Sequence, residues 1–245
     1  MVISRRLLGP LVFLVTLAAA AALVFQIAHP PTGAPTAQAQ AASRPVYRVA
    51  TTQQAVAIGI NVVWGTEYVP RILKILETEH AHATFFVGGA WAAANPGLVR
   101  EMLRAGMELG NHGYAHRHQS TMNFDENVAE ITKASHAIEA AGAPRPTLFA
   151  PPYGEYDATV LQAASALHMT LVMWTIDTID WRPSSSPALI TSRVLNRAAA
   201  GSIILMHPTD RTVEALPDIL RQLHTRGYQF LTTSQLLATG TPEGE

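Results

Sequence analysis

The stretch ATFFVGGAWAAANPGLVREMLRAGMELGNHGYAH, residues 83–116, decides the fold class of this chain. Its apolar run at 83–87 predicts a buried strand, and 107–110 predict the next one. Between them, Pro96 is well placed in the first turn of a helix that runs to about residue 105. A strand, a helix and a second strand in this order predict one crossover unit of a parallel sheet.

The same alternation continues on both sides of this stretch. Seven strand and helix alternations predict an α/β domain over residues 45–240, either a barrel or a doubly wound sheet, followed by a polar, frayed tail at 241–245. In either architecture the functional residues lie past the C-terminal ends of the strands. The other predicted strands are 55–61, 147–150, 170–173, 202–206 and 229–231, and the other helices are 69–80, 125–141, 156–167, 187–199, 213–226 and 234–238.

Composition excludes several classes of function. The 245 residues carry a formal net charge of −1, so no basic field attracts nucleic acid, and we predict no nucleic-acid partner. The chain has no cysteine, which excludes disulfides, thiolate metal ligands and a cysteine nucleophile.

The N-terminal residues 1–28 are typical of an export signal or a membrane anchor. Arg5 and Arg6 precede an uncharged run at 7–27 that is long enough to cross a bilayer. A cleaved signal peptide with Ala37-Gln38-Ala39 as its processing site is one interpretation, and a single-span anchor, favoured by the length of the run, is the other. Residues 29–44 read as a flexible linker. We expect an exported domain at the outer face of the cytoplasmic membrane or in the cell wall.

Four polar motifs follow predicted strands. His112 and His116 are four residues apart, a spacing that on one helical turn suits two ligands of a Zn²⁺-like ion, whereas His118 reads as a bystander. His207 ends an apolar strand, where either a general acid or a satisfied core histidine fits. The motifs are NHGYAH at 111–116, PPYG at 151–154, DTIDW at 177–181 and ILMHP at 204–208.

Together with ATFFVGG, this ordered set makes residues 56–237 resemble the polysaccharide deacetylase family (NodB homology domain, carbohydrate esterase family 4). The resemblance implies a distorted seven-stranded (β/α) barrel. It also implies hydrolysis of N-acetyl groups from amino sugars of a cell-wall glycan such as peptidoglycan, or of a chitin-like polymer.

The resemblance also implies roles for individual residues. His112 and His116 match the metal ligands, for Zn²⁺ first and Co²⁺ or Mn²⁺ as alternatives. His207 matches the acid that protonates the leaving amine, and Asp180 its orienting carboxylate. Tyr153 matches the residue whose backbone N–H helps to hold the oxyanion. Residues assigned to substrate binding are Trp181, Leu205, Pro152 and Asp177.

Three positions depart from the family pattern. The base Asp is replaced by Asn61, the metal-binding Asp by Val62, and the Arg that steadies the base by Ala150. Asn cannot take a proton from water near neutral pH, and Val cannot ligate a metal. The altered first motif, INVVWGTEY, resembles a sporulation-associated branch of the family.

Three functions remain open at this point. The first is a divergent metal-dependent hydrolase, with water, Glu67 or Asp177 completing a weakened metal site. The second is a catalytically inactive glycan-binding protein of the same fold. The third is a membrane-tethered scaffold for other cell-wall proteins, which the preserved His207 and Asp180 disfavour.

Overall fold

The computed structural model describes residues 44–244, which lie within one compact unit. Eight parallel strands form a curled sheet: β2 (Ala55–Val62), β3 (Thr84–Val87), β4 (Glu108–Asn111), β5 (Leu148–Phe149), β6 (Thr170–Leu171), β7 (Ile176–Asp177), β8 (Ile203–Met206) and β9 (Gln229–Leu231). Their order in the sheet is β6-β5-β4-β3-β2-β8-β7, and β9 also pairs with β2. Because β6 and β7 end the order without pairing each other, the sheet is a distorted, incompletely closed barrel, as the resemblance implies.

Helices cover the outside of this sheet. They are α1 (Val69–Thr78), α2 (Gly89–Ala94), α3 (Pro96–Arg104), α4 (Phe124–Ala140), α5 (Ala158–Ala166), α6 (Pro187–Leu195), α7 (Asp210–Thr225) and α8 (Thr233–Leu237). The longest, α4, begins with a capping box in which Asn123 accepts from the Glu126 backbone N–H and the Glu126 carboxylate accepts from that of Asn123.

Strand β2 is the centre of the core. All eight of its residues are buried, and it pairs with β3, β8 and β9. Strands covered on both faces read as continuous apolar runs, which is why AVAIGINV carries so little polar alternation. The single amide in that run, Asn61, lies at the C-terminal end of β2, where the sheet meets the cavity described below.

The structure differs from the predicted elements in three places. The tail at 241–245 is not simply frayed, because β10 (Thr241–Glu243) pairs antiparallel with β1 (Arg48–Ala50), and Arg48 Nε lies 3.3 Å from Glu243 Oε2. The sequence does not reveal β7 or α2. Both are short, and pairing through backbone groups leaves little trace in side-chain periodicity.

Between residues 44 and 244, no helix is both long and apolar enough to cross a bilayer. The predicted signal or anchor at 1–28 and the linker up to residue 43 lie outside the described residues.

Candidate active site

A cavity of about 380 Å³ opens at the C-terminal ends of the sheet strands. Eight of the ten predicted site residues line it: Asn61, His112, His116, Tyr153, Asp177, Trp181, Leu205 and His207. The other two lie just behind the wall. Asp180 is fully buried beneath His207, and Pro152 is buried beside Gly113. The folded chain thus brings residues from five separate loops or strand ends to one place.

One wall, which we call the acid half, consists of His207, Asp180 and Thr212. Asp180 Oδ1 accepts a hydrogen bond of 2.8 Å from His207 Nδ1. Its Oδ2 accepts from the His207 backbone N–H at 2.6 Å and from Thr212 Oγ1 at 2.6 Å. A carboxylate can only accept, so Nδ1 carries the proton of that bond and Nε2 is the free ring nitrogen of His207.

Local structure explains why this carboxylate is so well placed. Thr212 lies in the first turn of α7, whose N-cap is Thr209, so the start of the helix holds Asp180 through the hydrogen bond from Thr212. On the other side, Ile179 adopts φ 53°, a rare conformation for a β-branched residue. Its backbone is held by Asp177 Oδ1, which accepts from the Ile179 N–H at 2.7 Å, and by Ser185 Oγ, which donates to the Ile179 carbonyl at 2.6 Å. Strain of this kind is typical of functional sites.

The opposite wall, which we call the metal half, consists of His112, His116 and Asn61, and the next residue of β2, Val62, is buried in the core behind it. The imidazoles of His112 and His116 have centroids 5.1 Å apart and both line the cavity. The helical turn expected from their spacing is wrong, because they lie in an irregular loop after β4 in which His116 has φ 53°. The sharp turn, rather than a helix, brings the two rings to the same cavity.

Both histidines of the metal half are held neutral at pH 7. Burial lowers the pKa of His112 to about 3, although its 2.7 Å hydrogen bond to the Ala150 carbonyl acts in the opposite direction. Burial and the neighbouring His207 and His118 imidazoles lower the pKa of His116. Since a carbonyl accepts, His112 Nδ1 donates and its Nε2 is free, the usual arrangement of a histidine that ligates a metal.

The PPYG segment forms the rim of the cavity next to His116. Tyr153 adopts φ 60° within the short 3₁₀ turn Pro152–Gly154, and its side chain is 54% exposed. Its ring lies 4.4 Å from the His116 ring and stacks on His118 at 4.0 Å. His118, expected to be a bystander, therefore contacts the site and also pairs with Glu155 at 2.9 Å. The oxyanion role of the Tyr153 backbone N–H stays a prediction.

Comparison with known proteins agrees with this geometry. The family model for polysaccharide deacetylases matches residues 48–172. The chain is 37% identical to YlxY of Bacillus subtilis over 79% of its own length, and 34% identical to a peptidoglycan-N-acetylglucosamine deacetylase of Bacillus cereus over 71%. It spans 60% and 64% of the lengths of these two relatives.

The chain belongs to the polysaccharide deacetylase family.

Among solved structures of this family, a carbohydrate esterase family 4 pseudoenzyme of Bacillus anthracis is 38% identical, with a TM-score of 0.76 and coverage of 79% of this chain and 68% of that one. A mutant of the same pseudoenzyme with restored enzymatic activity is 37% identical, also with a TM-score of 0.76, and the match covers 79% of this chain and 71% of that one.

Polysaccharide deacetylases of this family are metal-dependent, so the metal half has to be tested for its fit to an ion. His112 and His116 fit as two neutral ligands. Val62 is fully buried and apolar, and across residues 44–244 no group of three or more His, Asp or Glu side chains is arranged to hold a metal. Glu67 is exposed and does not line the cavity, whereas Asp177 lines it but caps the Ile179 turn. The described residues therefore do not complete the family's metal site.

Four lining residues were not among the ten predicted site residues: Val63, Trp64, Gly154 and Trp174. Trp64 follows β2 directly, and its indole stacks on the His207 imidazole at a centroid distance of 5.9 Å. Its position just past the end of β2 was the available signal, since Asn61 was assigned to the site from the end of the same strand.

Proposed function

We propose that this chain is a polysaccharide deacetylase-type protein whose cavity receives the N-acetylated amino sugars of a cell-wall glycan, and that it hydrolyses their N-acetyl groups slowly. The observation that carries this proposal is the acid half. Asp180 is fully buried, accepts three hydrogen bonds and uses two of them to fix His207. A buried carboxylate that orients a cavity histidine is suited to general acid catalysis.

Each half of the cavity then has a defined part in the reaction. When the acetyl C–N bond breaks, the leaving amine needs a proton, and His207 is the group placed to donate it from Nε2 once that nitrogen has taken up a proton and the ring is an imidazolium. A bound divalent ion, Zn²⁺ first, would supply Lewis-acid activation of water next to His112 and His116. Asn61, which the resemblance matches to the base, cannot accept the proton of the attacking water, so that proton has to pass to bulk solvent. A missing general base lowers the rate by ~10²–10⁴-fold.

A second candidate function is glycan binding without turnover. The replacement of both acidic residues by Asn61 and Val62 favours it, because the carboxylate ligand and the base are absent together. The similar Bacillus anthracis protein is itself a pseudoenzyme. In this reading the cavity and its aromatic rim recognise the sugar, and the acid half orients it.

One experiment separates the two functions. Acetate release from peptidoglycan and from chitin oligomers would be measured for the full-length chain with added Zn²⁺, Co²⁺ or Mn²⁺. Glycan binding would be measured in parallel. We expect slow, metal-stimulated release that disappears in His112→Ala and in His207→Asn, whose amide still donates to Asp180 but has no proton to transfer.

The outcomes are distinct. Binding without release would refute hydrolysis and support the second candidate. Neither binding nor release would refute both functions. Melting temperatures close to that of the wild type would show that the two variants are folded.

We also propose that the domain acts outside the cytoplasm, anchored or released at the membrane. Support comes from the basic and apolar order of residues 1–28 and from the peptidoglycan named in the Bacillus cereus relative. Membership of the sporulation-associated branch is a prediction from the first motif alone. Detection of the protein in membrane, wall or culture fractions tests this proposal, and recovery in the cytoplasmic fraction only would refute it.

A further inference from the structure

Exposed aromatic side chains gather around one cavity. Among the described residues, the exposed large apolar side chains are Trp64, Phe124, Tyr153, Trp181 and Leu189. Trp64, Tyr153 and Trp181 line the cavity, whereas Phe124 and Leu189 do not. Clustered exposed aromatic surface marks a binding site, and the apolar face of a pyranose ring suits an indole.

These three aromatic rings differ in the side chains that already contact their faces. Tyr153 contacts the imidazoles of both His116 and His118, and the Arg182 guanidinium lies 4.8 Å from the centroid of the Trp181 ring. Within the described part of the chain, the only ring or cation partner of the Trp64 indole is His207, which stacks on it at an angle of 12°. Trp64 is also 43% exposed, so a large part of the indole remains available to a ligand.

The position of Trp64 is fixed by the backbone that follows it. Gly65 has φ +77°, and a Cβ atom there would lie 2.3 Å from the Pro208 carbonyl oxygen. The loop after β2 therefore packs directly on the loop after β8, which carries His207 and Pro208. The Gly65 carbonyl then accepts from the Tyr68 N–H at 3.0 Å, at the start of α1. The backbone next to Trp64 is therefore held by contacts with the loop after β8 and with α1, and its indole is held by stacking on His207.

The size of the cavity limits how much of a glycan it can hold. At about 380 Å³ it lies near the lower end of the ~300–1,000 Å³ that small-molecule sites occupy. That volume suits one sugar residue with its acetyl group. A polymer that places one residue inside must pass its next residue over the rim, where the exposed part of Trp64 lies.

We propose that Trp64 forms a separate subsite for a second sugar, adjacent to the one whose acetyl group enters the cavity. The apolar face of the neighbouring pyranose packs on the indole, and the indole packs on the His207 imidazole. Trp64 is then a specificity-determining residue that selects polymers over single sugars. This inference rests on the proposed glycan function of the same cavity.

The test compares N-acetylglucosamine with its β-1,4-linked tetramer on the full-length chain. Dissociation constants would be measured for the wild type, Trp64→Ala, Trp64→Phe and Phe124→Ala. The last is a matched control, since Phe124 is an exposed aromatic residue outside the cavity. We expect Trp64→Ala to weaken tetramer binding by about tenfold more than it weakens monomer binding, the loss of one stacking contact. Trp64→Phe should retain most of the tetramer affinity, and Phe124→Ala all of it.

Other results would overturn the inference in distinguishable ways. Unchanged tetramer binding by Trp64→Ala would remove the subsite but leave the proposed function intact. Equal losses for monomer and tetramer would mean that Trp64 contacts only the sugar inside the cavity and would refute a separate subsite. If the wild type binds neither ligand, the proposed function fails, and the subsite fails with it. A melting temperature for each variant identifies an effect that is due to unfolding.

Discussion

The acid half and the metal half of the cavity differ in one respect: each holds a histidine through hydrogen bonding, but only the acid half contains a carboxylate. In the acid half, both oxygens of Asp180 are engaged and His207 is fixed through its ring and its backbone. In the metal half, the His112 ring is held by a hydrogen bond to a main-chain carbonyl, but Asn61 and Val62, which the resemblance matches to two acidic residues, carry no charge. Orientation of the histidines and supply of negative charge are therefore separable properties of the site.

The reason for this separation lies in how His112 is held. Its Nδ1 binds the main-chain carbonyl of Ala150, so the hydrogen bond survives whatever side chain occupies position 150. The Ala150 side chain, which the resemblance matches to an Arg, therefore has no part in holding His112. Asp180, in contrast, acts through its side chain, and any replacement there breaks the acid half.

The largest expected effect is on stability, through Asp180→Ala. Removal of the carboxylate leaves the His207 N–H and the Thr212 hydroxyl without their acceptor, and we expect a loss of about 3 kcal/mol in the free energy of unfolding. Urea denaturation measures this loss. Asp218→Ala, which removes a half-exposed carboxylate 3.9 Å from Arg221, is the control and should change stability by less than about 0.5 kcal/mol. Equal losses in the free energy of unfolding for Asp180→Ala and Asp218→Ala would contradict the claim that the hydrogen bonds of Asp180 hold the acid half together.

The next effect is on metal affinity, through Val62→Asp. Position 62 matches the metal-binding Asp in the resemblance, so a carboxylate there should provide a third ligand, and we expect Zn²⁺ to bind about 100-fold more tightly than in the wild type. Calorimetric titration with Zn²⁺ measures the change. Because Val62 is fully buried, the metal-free variant should melt at a lower temperature and recover on addition of Zn²⁺. Wild-type affinity as high as that of the variant would contradict our account of the metal half.

A pH effect of similar size follows from His112. Its pKa is about 3 in the folded chain and about 6.5 in the unfolded chain, so the unfolded state takes up the proton first. Its contribution to stability is complete above pH 6.5 and is lost as the pH falls towards 3. Between pH 7.5 and pH 5 the metal-free protein should lose about 2 kcal/mol from this group. Urea denaturation at each pH should show that His112→Asn loses less free energy of unfolding over this range than the wild type. The same dependence of that free energy on pH in both proteins would contradict the prediction.

The smallest effect concerns the contact between the two loops that place Trp64 on His207. Gly65→Ala adds a Cβ atom against the Pro208 carbonyl, whereas Gly227→Ala adds one at a similar φ of +82° with nothing within 4 Å. Both variants carry the strain of a left-handed residue, but only the first disturbs the loop contact. We expect Gly65→Ala to be destabilised by about 1 kcal/mol more than Gly227→Ala, measured by urea denaturation.

Sequence reasoning found most of this fold because the buried strands are continuous apolar runs separated by amphipathic helices. It placed seven of the eight sheet strands and eight of the twelve cavity-lining residues. It missed β7, which has two residues, and the β1–β10 pair, whose contacts join residues almost 200 positions apart. Trp64 was missed for the same reason. Its stacking on His207 is a contact between distant loops, and no local period encodes it.

The most direct test of our account is acetate release by the double variant Asn61→Asp, Val62→Asp. If the acid half is complete and only the metal half is deficient, restoring both carboxylates should raise the Zn²⁺-dependent rate by ~10²–10⁴-fold over the wild type. Addition of His207→Asn to that variant should abolish the gain. A folded double variant that binds Zn²⁺ and glycan but releases acetate no faster than the wild type would contradict the claim that the acid half is competent.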